Sequence, residues 1–117
     1  MITLTVDRNL KREITAFKMT GHAGSGPYGY DLVCAAVSAV SFGALNAVES
    51  LTGARMKVTQ AEAGGFLECI CPKTTTDAWD KMQLILEAML VSMQTIETSY
   101  GNYIKIYDEG GVDHVET

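Results

Sequence analysis

GHAGSGPYGYDLVC, residues 21–34, decides what kind of fold this chain can have. Within it, residues 24–29 fit G-x-G-x-x-G, after a strand-like segment and before a helix-like one. A dinucleotide-binding turn has that order, and it demands a parallel sheet. The rest of the chain argues against one. Glu49 stands at the spacing the fingerprint asks of its acidic residue, yet it belongs to the same helix rather than to the end of a next parallel strand. Pro27 removes an N–H from a loop whose purpose would be to offer N–H groups. A hairpin signal follows, so the stretch reads as a link between two antiparallel strands and a helix.

Working outward, residues 1–7 alternate, with Ile2, Leu4 and Val6 on one side and Thr3 and Thr5 on the other, as a half-buried strand does. Residues 14–20 form a second strand with Phe17 and Met19 on one face. Residues 31–51 read as a helix whose stripe is Val33, Val37, Val40, Ala44, Val48 and Leu51. Asp31 suits its N-cap and Gly53 its C-terminal stop. Two strands, residues 55–62 and 66–71, meet at Gly64-Gly65, and Pro72 closes the second. A long helix opens at Thr75 or Thr76 and runs to Tyr100 on a stripe of Trp79, Met82, Leu86, Met89, Met93 and Ile96. Methionine on that stripe suits either core or an adaptable partner surface. Residues 103–107 make a last strand, and residues 109–117 are expected to fray. The order ββαββαβ implies an α+β domain over residues 1–117: a mostly antiparallel sheet packed with two long helices.

The net charge of −5 offers no basic stripe for phosphates, so direct nucleic-acid binding is not expected. No run of 18 apolar residues stands out as a membrane span, and the start lacks the pattern of a signal peptide. The expected location is therefore the cytoplasm. Cys34, Cys69 and Cys71 cannot all pair within one chain. Cys69 and Cys71 share a strand face and read as small core thiols.

Two further chemistries suit residues 21–34 beside the weak dinucleotide reading. A metal site would draw on His22, His114, Asp31 and the cysteines, but neither C-x-x-C nor H-E-x-x-H occurs. A thiol mechanism fits better. If Asp31 caps the helix, Cys34 falls in the first turn, where free N–H groups and the helix dipole favour a thiolate. His22 can meet it across the loop as base, and the first-turn N–H groups can serve as an oxyanion hole. Each residue also has a plainer reading. Cys34 suits a core position, His22 a solvated loop, Asp31 a cap alone, and Ser38 a hydroxyl returned to its own helix.

The stretch GHAGSGPYGYDLVCAAVSAVSF resembles the signature of the bacterial ribosomal-processing cysteine proteases, the Prp family. It carries G-H-A, then G-x-G-x-x-G, then D-x-V-C-A-A-V-S in order. The resemblance implies an endopeptidase that removes the N-terminal extension of a large-subunit ribosomal protein, number twenty-seven, cutting after a pair of phenylalanines. It implies Cys34 as nucleophile, His22 as base, Asp31 at an acidic supporting position and Ser38 one turn further on. Gly21, Ala23, Gly24, Ser25, Gly26, Pro27, Tyr28 and Gly29 would form the segment that closes over substrate. A homodimer without cofactor is implied as well. The rival is a non-catalytic ribosome-assembly or peptide-binding module of the same fold.

Overall fold

The computed structural model describes residues 1–24, 26 and 31–109. The elements run β1 (Ile2–Arg8), β2 (Ile14–Thr20), α1 (Leu32–Thr52), β3 (Lys57–Gln60), β4 (Phe66–Ile70), α2 (Thr76–Tyr100) and β5 (Ile104–Glu109). They form a five-stranded sheet in the order β3-β4-β2-β1-β5. Three of the pairings are antiparallel, and β1 with β5 is parallel.

The register shows why one side is covered. Leu4 stands opposite Met19, Val6 opposite Phe17, Phe17 opposite Cys69, and Met19 opposite Leu67. All of these are buried in one cluster with Val37 and Val48 of α1 and Met82, Leu86 and Met93 of α2. Both helices therefore lie on the same face and pack against each other. The residues between, among them Lys18, Lys105 and Tyr107, face solvent. A bulge at Asp7–Arg8 resets the register so that Ile14 also turns inward. Gln83 of α2 then holds both backbone groups of Ile14, each at 2.7 Å.

The helix ends follow their caps. Asp31 accepts the Cys34 N–H, and Gly53, at φ 77°, donates to the Glu49 carbonyl. Thr75 accepts the Ala78 N–H at the start of α2. The methionine stripe of α2 is core, as Met82, Met89 and Met93 are all buried.

Several boundaries shift. The buried side of α1 is Val33, Val37, Ser41, Ala44 and Val48, with Leu51 66% exposed. Ser41 replaces Val40 there because its hydroxyl donates to the Val37 carbonyl at 2.8 Å, so the buried oxygen is satisfied. β3 is shorter than residues 55–62 and exposed throughout, as a sheet edge beyond the helices would be. β5 extends to Glu109, which pairs with Asp7, so the frayed tail cannot begin there. Residues 110–117 lie outside the described residues. The expectation that no segment could cross a membrane also needs correction: α1 is long and apolar enough by length and composition. In this fold it lays one side on the core instead.

Candidate active site

β2 ends at Thr20, and Gly21 takes the chain out of the sheet with φ +88°. A Cβ there would overlap the Met1 carbonyl, so both the torsion and the space require glycine. The Gly21 N–H donates to the Gly65 carbonyl at 2.8 Å, which ties the exit to the β3–β4 turn. The Met1 nitrogen donates to the His22 carbonyl at 2.5 Å. His22 is exposed, and Ala23 turns back into the core at 5% exposure.

Ala23 brings a backbone donor to the Cys34 thiol: its N–H points at Sγ from 3.3 Å. At the Cys34 backbone, Asp31 Oδ1 accepts the N–H at 3.0 Å. The Asp31 carbonyl takes the Ala35 N–H, also at 3.0 Å. The first-turn N–H groups expected to form an oxyanion hole are thus engaged at Cys34 and Ala35. The described donor aimed at the sulfur is Ala23's.

The Cys34 thiol is not the lowered one that a helix start alone suggests. Burial pushes it up, and Asp31 adds to that through a hydrogen bond and its negative charge. The Ala23 N–H pulls the other way. Cys69 and Cys71 are pushed up to about 12, chiefly by burial. All three cysteines are free.

Cys34 opens into a cleft of about 650 Å³ between α1 and the β3–β4 hairpin. Its floor includes Ile2, Met19 and Leu67, and His22, Gly24, Gly26 and Asp31 line its mouth. Ser38 and Phe42 continue the α1 wall, facing Gln60 and Phe66. The structure therefore brings His22, Asp31, Cys34 and Ser38 to one cleft. The return bond to the helix expected of Ser38 is made by Ser41, which also reaches the Ser38 carbonyl at 3.3 Å. Of the closing segment, Gly21, Ala23, Gly24 and Gly26 are described. Ala23 is an anchor rather than part of a lid, because its methyl is buried in the core. Ser25, Pro27, Tyr28 and Gly29 lie outside the described residues.

Sequence reasoning missed Phe42, Gln60 and the part played by Gly65. The only signal was Gly64-Gly65, which reads locally as a turn. Among the described residues, no three His, Cys, Asp or Glu side chains gather to hold a metal ion.

The sequence model of the family described as cysteine protease Prp matches residues 1–105. The ribosomal processing cysteine protease Prp of Staphylococcus aureus strain Mu50 is 42% identical over 106 residues, covering 91% of this chain and 97% of that protein. The protein of the same name from Bacillus subtilis strain 168 is 41% identical over 107 residues, covering 91% and 96%. Among solved structures, an essential ribosomal processing protease Prp from S. aureus, in complex with a covalently linked product peptide, superposes with a TM-score of 0.85. It is 41% identical, over 92% of this chain and 99% of that one. A family model matching nearly the whole chain and relatives of this identity leave one conclusion: the chain belongs to the Prp family of cysteine proteases.

Proposed function

We propose that this protease removes the N-terminal extension of a large-subunit ribosomal protein, number twenty-seven, with Cys34 as nucleophile and His22 as general base and acid. The observation that carries the reading is the Ala23 N–H aimed at Cys34 Sγ in a cleft that His22 also lines. The names of the relatives, ribosomal processing proteases, support the substrate class. The covalent product complex of the S. aureus protein supports a covalent intermediate. Membership of a protease family sets aside the non-catalytic rival.

With its pKa held up, Cys34 rests as a thiol. His22 takes the proton as the sulfur attacks the scissile carbonyl, and the Ala23 N–H, aimed at Sγ, favours the charge the sulfur gains as that proton leaves. His22 then gives the proton to the leaving amine, and the C–N bond breaks to leave a thioester. Water attacks that thioester as His22 removes its proton, releasing the carboxylate and restoring the thiol. No cofactor takes part. Phe42, Phe66 and Leu67 give the cleft the apolar walls that phenylalanine side chains need.

The reading includes a cytoplasmic homodimer without direct nucleic-acid contact. The exposed side of α1, with Leu32, Ala39 and Gly43, is apolar and small enough for a second helix. The net charge of −5 disfavours RNA as partner. Mass spectrometry of the ribosomal protein after incubation with this protease tests the cut. An unchanged mass would refute the substrate.

A further inference from the structure

The His22 imidazole has a seat, and it is not on its own strand. An ideal Cβ at Gly65 would lie 2.8 Å from His22 Nε2 and within 3.5 Å of two ring carbons. At Gly64 the nearest atom would be His22 Cε1 at 3.6 Å, an ordinary contact. The Gly65 carbonyl also accepts the Gly21 N–H at 2.8 Å, one residue before the histidine. Gly65 therefore bears on His22 in two ways: its carbonyl fixes Gly21, the residue before the histidine, and its bare Cα leaves the space beside which the ring lies.

We infer that Gly65, at the tip of the β3–β4 hairpin, is a positioning residue for the general base: its missing side chain creates the space in which the His22 imidazole faces the cleft. The inference rests on His22 being the base. Any side chain at Gly65 pushes the ring off, because the β4 backbone behind it cannot retreat while it is paired with β2 from Thr20↔Phe66 onward. Proton transfer depends on placement, and displacement of a base by about 1 Å costs on the order of 10²-fold in rate.

Gly64 supplies the control. Both glycines have φ +79°, so alanine at either is strained by its backbone torsion. Only alanine at Gly65 overlaps the ring; at Gly64 the methyl makes an ordinary contact. The test is to compare Gly65→Ala with Gly64→Ala by thermal melting, by kcat and KM on the substrate peptide, and by NMR of the His22 ring. Similar melting temperatures are expected, with kcat reduced about 10²-fold and KM little changed in Gly65→Ala alone. The His22 ring resonances should move much further in that variant than in Gly64→Ala, whose methyl only touches the ring edge. Equal kinetic losses and equal ring shifts in the two variants would overturn the inference. If Gly65→Ala fails to fold, the wild-type protein decides: nuclear Overhauser contacts between the His22 ring and the Gly65 α protons must be seen, and their absence overturns the seat. His22→Ala separates the two readings. Full activity there removes His22 as the base, while the ring shifts and Overhauser contacts still report whether Gly65 seats it.

Discussion

Asp31 holds Cys34 in two opposed ways. Its Oδ1 accepts the Cys34 N–H at 3.0 Å and so fixes that residue in the first turn of α1. Its charge and its hydrogen bond to the thiol keep the proton on the sulfur. One carboxylate thus starts the helix and restrains the thiol that the helix carries.

Removing that charge should release the thiol. Asp31 contributes to raising the Cys34 pKa, so Asp31→Asn, which keeps a capping oxygen, lowers it. The rate of alkylation by iodoacetamide should then rise at a lower pH than in the wild type. Asp31→Ala should show the same displacement together with a loss of roughly 0.5–2 kcal/mol from the missing cap. Alkylation-rate profiles and thermal melts measure the two effects separately.

Cys34→Ala and His22→Ala should each reduce peptide cleavage by about 10³-fold or more. Cys34→Ser should fail too, because a hydroxyl is a weaker nucleophile than a thiol with the same base. Melting temperatures should change little, since His22 is exposed and Cys34 only half-buried. Steady-state assays beside melts on the same preparations check both parts.

Gly21→Ala should lower both stability and turnover. The torsion alone costs on the order of 1–3 kcal/mol, and the new methyl must also displace the Met1 carbonyl. Denaturant titration gives the first effect and kcat the second.

Phe42 is 40% exposed on the cleft wall, free to meet an apolar side chain of the peptide. Phe42→Ala should raise KM for a phenylalanine-containing peptide roughly tenfold, equivalent to about 1.4 kcal/mol, and change kcat less. Initial rates over a range of peptide concentration show the division.

Much of this molecule is legible in its sequence because strand and helix periods are local. Ile2, Leu4 and Val6 announce β1, and Asp31 with Gly53 brackets α1. Strand neighbours are not local. Nothing in Ile104 to Tyr107 says that this strand lies parallel to β1 rather than antiparallel to another. The direction in which the Cys34 thiol shifts is hidden from the sequence for a related reason. The helix start is visible in sequence, while the burial that wins over it comes from elements folded around it. Ala23 gives no sign of being an anchor, as one methyl among glycines carries no period. Gly65 shows itself only as a turn, since the space it leaves for His22 belongs to a residue far away in the chain.

The parallel pairing of β1 with β5 bears on when the protease can ripen during its own synthesis. Ile2 donates its N–H to the Tyr103 carbonyl at 2.8 Å, and β1 pairs with β5 from Ile2↔Ile104 onward. The same first residues form the backstop for Gly21 and part of the cleft floor. A nascent chain halted before Ile104 leaves β1 as an open edge, with the wall behind the histidine unsupported. The strand that borders the cleft therefore completes its pairing only when β5 has been made, so the first and the last described strands are joined in one sheet beside the site.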